Sequence, residues 1–358
     1  MDRGDTMARS AIIVGGTGQI GQAAAMTLLR DGWNVSIMHR GNRLLSQRLI
    51  ERGAHEIIHD RGRGLAPVIG RGADLLIDAI AFDAVHADQL LQVQDDVGAF
   101  VVISSSSVYC DDLGRTLDDA IGSDCFPDFP KAVTELQKTV SPGSQNYSAK
   151  KIALEQRLLN HATTPVTILR PCAIHGVNSS HAREWWFVKR MLDERPAIPL
   201  AYRGESRFHT TSVANIAGLI GILAGMPGTR VLNIGDEHCL TVAEIGSTIA
   251  RHLGFEGRFV LIEDEPGVYP AKIGSTPWSI PKPFMIDSSA ARALGFAPLP
   301  YAATIGAVCD WLSQLHSAGN WLAELPVFGD YSFDPFDYVS EDRWLAQYPP
   351  AASGRAAI

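Results

Sequence analysis

The stretch Ala11–Gly21, AIIVGGTGQIG, decides how the rest of the chain is read. An apolar run, Ala11–Val14, breaks into glycines, and a helix-like segment, Gln19–Arg30, follows. Gly16, Gly18 and Gly21 satisfy GxGxxG, while Gly15, Gly18 and Gly21 satisfy GxxGxxG. Either pattern alone says little. Set between a strand and a helix at the head of an alternating chain, it predicts a dinucleotide-binding turn. One glycine permits the tight turn, another lets backbone N–H groups approach a pyrophosphate, and the last lets helix and strand pack closely. The N-terminus of the helix then turns its positive end to the anion.

Further apolar runs follow at WNVSIMHR (33–40), HEIIHD (55–60), ADLLIDAIA (73–81), GAFVVISSSSVY (98–109) and TPVTILRP (164–171). Short continuous strands between helices predict a parallel sheet covered on both faces, with ligands at the carboxyl ends of its strands. The expected fold is a Rossmann-type, doubly wound α/β sheet with a smaller C-terminal substrate-binding cap. Residues 10–175 form its dinucleotide-binding part. Residues 176–345 complete the sheet and build the cap, chiefly from 176–206 and the region after 255. Within that half, 209–225 reads as helix, RVLNIG as strand and 241–254 as a helix closed by Gly254. The Pro/Gly-rich 264–283 reads as loop, and the acidic, aromatic stretch 329–344 as a docked segment, because aromatics gain most from burial.

With 358 residues, 46% of them hydrophobic and 20% charged, the chain suits a soluble globular protein. Its net charge of −8 argues against a nucleic-acid partner, which calls for a basic face. Cys110, Cys125, Cys172, Cys239 and Cys309 are odd in number and include no CxxC pair. They suggest reduced thiols in a cytoplasmic protein, with neither a disulfide framework nor a zinc site. The opening MDRGDTMARS lacks the apolar core of a signal peptide, and no run reaches the length of a membrane span. Residues before Ser10 read as a loose tail in which Met7 is an alternative start. His175 and His209 have no second ligand at helical or hairpin spacing, so no metal site is expected.

The second strand ends IMHRGNR. A carboxylate there would hold the ribose 2′-hydroxyl of NAD, and none is present. His39, Arg40 and Arg43 stand instead where a 2′-phosphate would lie, and arginine is well matched to phosphate. NADP is therefore expected ahead of NAD. Downstream, NYSAKK places Tyr147 and Lys151 four apart, on one face of a helix. An ammonium beside a phenol favours the phenolate, and such a tyrosine exchanges a proton with a substrate hydroxyl. The serine-rich strand end ISSSSVY precedes it and offers a hydroxyl to the same oxygen.

Together GGTGQIG, ISSSSVY, YSAKK, LRPCAIHG, FHTTSVANIA and LNIGDEHCLTVAEI make the chain resemble an extended short-chain dehydrogenase/reductase of the NAD-dependent epimerase/dehydratase family, over about residues 10–315. The resemblance implies Tyr147 as acid/base, Lys151 as ligand of the nicotinamide ribose and Ser105 as the orienting hydroxyl, with Ser106 as second choice. It implies cofactor contacts at Gly15, Thr17, Gly18, Gln19, Ile20 and Gly21, at Asp60 near the adenine and at Ala79. It also implies a homodimer through the Tyr147 helix. The gap from Ser105 to Tyr147 exceeds the family's usual length, which suggests an inserted loop over the site containing DCFPDFPK.

Departures narrow the activity. Ser106 and Ser107 replace the Asp-Glu pair of the family's sugar 4,6-dehydratases, Ala173 replaces an Asn that touches a substrate diphosphate, and Ser212 replaces an acid. The opening and the tail are similar to a divergent branch that includes chloroplast RNA-associated relatives. Substrate contacts are expected from Ser106, Trp185, Arg207 and His209. Trp185 and Trp186 read equally well as a packed helix face, and Arg203 and Arg207 as surface charges. The expected activity is hydride transfer at a carbinol or keto carbon of a sugar or sugar-like substrate by an oxidoreductase or epimerase, with an NADPH-dependent reductase of a non-sugar carbonyl as the alternative. A non-catalytic NADP-binding sensor is the third reading.

Overall fold

The computed structural model describes residues 8–118, 120, 124–263 and 272–347. Its strands are β1 (Ser10–Val14), β2 (Asn34–His39), β3 (His55–Ile58), β4 (Leu75–Asp78), β5 (Phe100–Ile103), β6 (Val166–Pro171), β7 (Ala173–His175), β8 (Ala197–Leu200), β9 (Thr210–Ser212), β10 (Arg230–Ile234) and β11 (Arg258–Leu261). Seven of them make one parallel sheet in the order β10-β6-β5-β4-β1-β2-β3. The order reverses between β1 and β4, where Ala11–Val14 pair with Leu75–Asp78. A ligand cleft opens at such a reversal because the connecting chains leave in opposite directions.

Central strands bury both faces, so their residues are apolar throughout rather than alternating; β5, FVVI, is buried at every position. One face packs on helices Gln19–Arg30 and Val213–Ala224 through Ala24, Leu28, Ile216 and Ile220. The other packs on helices Ala84–Leu91 and Tyr147–His161 through Leu90, Leu154 and Leu158. A separate core joins helices Trp185–Leu192, Val242–Leu253 and Gly306–Ala318 around Trp186, Phe187, Ile245 and Leu312. A capping box of Thr241 and Glu244 starts the Val242 helix and left-handed Gly254 ends it.

Three local expectations change. The stretch 209–225 begins with strand β9, and its helix starts only at Val213, where the Ser212 hydroxyl accepts the Asn215 N–H. The serines after Ile103 leave β5, and Ser106–Val108 form a 3₁₀ turn capped by Ser105. β3 stops at Ile58, and Asp60 caps a turn by accepting the Gly62 N–H. In the stretch 329–344, Phe336 packs on Trp321 and Phe328, and Arg190 is buried against Glu341. Residues 264–271 of the expected loop and the first seven residues, Met7 included, lie outside the described residues.

Candidate active site

The glycine turn sits at the end of β1. Gly15 has φ +82°, and the N–H groups of Gly15 and Gly16 reach back to the Met38 carbonyl. A Cβ on Gly21 would lie 2.5 Å from Gly16 Cα, so the helix crosses the strand too closely for any side chain there. Gly18 caps the helix with no side chain of its own, which leaves the first-turn N–H groups, including those of Gln19 and Ile20, open to an anion. The Ile20 side chain joins the core. Gln19 lines the neighbouring cleft, and its Oε1 is buried without a hydrogen-bond partner. Thr17 and Arg43 line an adjoining cleft of about 370 Å³. Ala79 donates to the Val14 carbonyl beside the turn. A bare helix N-terminus, a steric glycine cradle and an orphaned amide oxygen together fit a dinucleotide.

The basic end of β2 differs from expectation at one residue. His39 is buried, accepts the Gly41 N–H at Nδ1 (3.1 Å) and meets Glu56 Oε1 through Nε2 (2.8 Å). Both ring nitrogens are spent within the fold, so His39 does not face a phosphate. Arg40 and Arg43 are exposed and make no hydrogen bond or ion pair among the described residues. Asp60 is exposed at its turn.

A cleft of about 590 Å³ brings Ser105, Ser106 and Tyr147 together beside Gln19 and the Pro171–Ile174 segment. Asn146 caps the helix that starts at Tyr147 by accepting the Ala149 N–H, and Asp118 holds the Ser148 N–H, so the phenol stands on a fixed first turn. Phe126, from the long segment between β5 and that helix, lines the same cleft. Ser105 accepts the Ser107 N–H at 3.1 Å, which fixes its hydroxyl at the strand end.

Lys151 is buried and donates to the carbonyls of Ala81 (2.6 Å) and Ile103 (3.1 Å), clamping the ends of β4 and β5. Burial brings its ammonium down to about 8, against the upward pull of Asp78 and Glu155 and with a further push down from Arg61. Its nitrogen lies 5.6 Å from the Tyr147 ring centre. Burial raises the Tyr147 phenol above its ordinary value; Ser105 lowers it by a hydrogen bond and Asp118 raises it. The lowering expected from Lys151 is not found: Lys151 is not among the groups that act on the phenol, and its ammonium is turned to backbone carbonyls.

Three expected substrate contacts are also redirected. Trp185 is fully buried and packs on Trp321 and His316, because the apolar face of its helix turns inward. Arg207 donates to the Cys239 carbonyl and lies 3.7 Å from Glu244. His209 is buried, with Nε2 against the Asp236 carbonyl and Nδ1 accepting the Ile286 N–H. Trp186 and His175 are buried as well, and no cluster of three metal-ligating side chains occurs among the described residues.

Several supporting residues escape sequence reasoning. Glu155, one turn beyond Lys151, accepts from the Ser104 hydroxyl and forms a buried ion pair with Arg170. Arg170 lies over the Tyr109 ring at 4.9 Å, and the Tyr109 hydroxyl donates to Asn233 at 2.6 Å. Arg61 pairs with Asp78 at the ends of β3 and β4 (2.9 Å). Asp236 stands just after β10. It accepts from Thr210, Asn215 and the Ser212 N–H, and it meets His175 at 2.8 Å. Burial alone would raise its carboxyl, but the His175 contact, the Thr210 hydroxyl and the Ser212 N–H together bring it down to about 2. The fold therefore favours the ionised form. Its stabilisation is full above the unfolded value of roughly 4 and is lost as pH falls toward 2. Asp236→Asn should remove stability on the order of 2 kcal/mol near neutral pH and flatten the acid limb of an unfolding profile. An unchanged limb would show that another group governs it.

Comparison with known proteins gives the same picture. The family model described as NAD dependent epimerase/dehydratase family matches residues 11–235. The chain is 22% identical over 262 residues to the chloroplast stem-loop binding protein of 41 kDa b from Arabidopsis thaliana, covering 69% of this chain and 64% of that protein. It thus spans a little under two-thirds of the length of that relative. Solved structures share the fold. A UDP-N-acetylglucosamine 4-epimerase from Methanobrevibacter ruminantium, in complex with UDP-N-acetylmuramic acid, superposes with a TM-score of 0.65 at 17% identity, over 86% of this chain and 99% of the other. A UDP-glucose 4-epimerase from Stenotrophomonas maltophila with bound NAD gives 0.64 at 17%, over 87% and 99%. A dTDP-glucose 4,6-dehydratase from Bacillus anthracis in complex with NAD gives 0.63 at 16%, over 87% and 98%. No helix among the described residues is long and apolar enough to cross a membrane. With its glycine turn, its sheet order and a family model matched over well over half its length, the chain belongs to the NAD-dependent epimerase/dehydratase family.

Proposed function

We propose that the chain is an NADP-dependent oxidoreductase or epimerase that transfers hydride at a carbinol or keto carbon of a sugar-like substrate. The observation that carries this reading is that Tyr147 and Ser105 line one cleft together with Gln19, the first helical residue after the glycine turn. In this reading the dinucleotide would be held by the N–H groups of Gln19 to Gly21, the Gln19 side chain, the Ala79 segment and Lys151, and a 2′-phosphate by Arg40 and Arg43. Bound there, the nicotinamide supplies or accepts the hydride. Ser105 fixes the substrate oxygen by hydrogen bonding. Tyr147 donates its proton to that oxygen as a carbonyl becomes an alcohol, and takes a proton back in the reverse direction. Lys151 fixes the two strand ends that frame the cleft.

The exposed, unpaired Arg40 and Arg43 favour reduction by external NADPH as the second reading, with a non-sugar carbonyl as substrate. Retention of cofactor through turnover marks the epimerase, and stoichiometric consumption of NADPH marks the reductase. Combined Arg40→Asp and Arg43→Asp should shift preference from NADPH toward NADH about tenfold or more, since charge-assisted phosphate bonds are lost. Equal Kd ratios before and after substitution would remove both arginines from the cofactor site.

A further inference from the structure

The cleft of Ser105 and Tyr147 contains an arginine that no ion pair balances among the described residues; the neighbouring Glu184 carboxyl acts on it only from a distance. Arg61, Arg170 and Arg190 are buried and each is paired with a carboxylate: Asp78, Glu155 and Glu341. Arg183 is half-buried and lines the cleft of Ser105 and Tyr147. It makes no hydrogen bond among the described residues and has no carboxylate within ion-pairing distance. Its guanidinium lies over the Phe208 ring, 6.0 Å from the centre. Glu184, its neighbour in the chain, is buried beside His175 and Tyr301, and neither of its oxygens has a hydrogen-bond partner. Withdrawing a cation from water without a counter-charge is costly, and the cost is recovered when a ligand brings the anion.

His181 lines the same wall. Its Nε2 is buried and has no hydrogen-bond partner. Burial and the charge of Arg183 bring the imidazole down to about 4, so it is neutral at physiological pH and keeps a directional donor or acceptor. A planar guanidinium beside a neutral imidazole matches a carboxylate or phosphate, the first through paired N–H bonds and the second through one more polar contact.

We propose that Arg183 and His181 form an anion-reading subsite, so that the substrate carries a carboxylate or phosphate in the same cleft as its reacting carbon. This rests on the assignment of that cleft as the substrate site. It deepens the proposed function by naming the substrate class: an anionic sugar or hydroxy acid.

The test reads binding rather than turnover. In the full-length protein, the Nε–Hε resonance of Arg183 is identified by its loss in Arg183→Lys and followed by NMR under titration with D-glucuronate, inorganic phosphate and neutral D-glucose. A saturable shift is expected with one of the two anions and none with glucose; which anion acts distinguishes the carboxylate source from the phosphate source. Arg183→Met should weaken that anion about tenfold or more by calorimetry while leaving NADPH affinity within about twofold. An Arg183 resonance unmoved by both anions, or moved equally by glucose, overturns the subsite. If Arg183 stays silent while a neutral ketose is reduced, only the subsite fails. If anion binding survives in a protein with no redox turnover on any ketone or polyol, the catalytic reading fails and the subsite stands.

Discussion

Tyr147→Phe is expected to slow turnover about a hundred- to ten-thousand-fold, the usual contribution of a positioned acid/base. The substitution removes one hydroxyl and keeps the ring that packs against Phe82 at 5.8 Å. The fold should not respond, because Asn146 and Asp118, not the phenol, hold the first turn of the helix. NADPH affinity should also be kept, since the glycine turn and Arg40 are untouched. Stopped-flow turnover with parallel cofactor titration separates the two effects. Full turnover in the variant would remove Tyr147 from the chemistry.

The second large effect concerns stability. Glu155 neutralises Arg170 and receives the Ser104 hydroxyl, all buried between the Tyr147 helix and the ends of β5 and β6. Glu155→Leu leaves a buried guanidinium without its counter-charge and should cost about 3–5 kcal/mol. Adding Arg170→Met removes the stranded charge and should recover most of that loss, because an apolar pair of similar volume is often as stable as a buried ion pair. Urea midpoints of the wild type, the single variant and the double variant test this. A single variant as stable as the wild type would show that the pair contributes nothing net.

What was legible in the sequence is what depends on neighbours in the chain. The glycine turn, the apolar strands, the Tyr147–Lys151 spacing and the Gly254 helix end are all local, and the structure has each in place. Direction in space was not legible. The stretch REWWFVKR contains both a cleft residue and core residues: its tryptophans fit pocket and packed face equally in sequence and lie in the core, while its first residue, Arg183, lines the cleft. Trp185 turned inward because its helix has an apolar face to bury. Arg207 and His209 read as ligand contacts until their long-range partners, Cys239 and Asp236, were visible. His39 was misread for the same reason: Glu56, on the next strand, takes its ring. The contact between Asp236 and Ser212 is not legible either, since the two lie 24 positions apart in sequence and meet only in the fold.

Dinucleotide binding at the glycine turn underlies every step proposed for the cleft. Purified protein should be denatured and any released nucleotide identified, then the emptied protein titrated with NADPH and NADH. The account predicts one dinucleotide site per chain, with NADPH bound more tightly than NADH. A protein that releases no dinucleotide and binds neither one would contradict it.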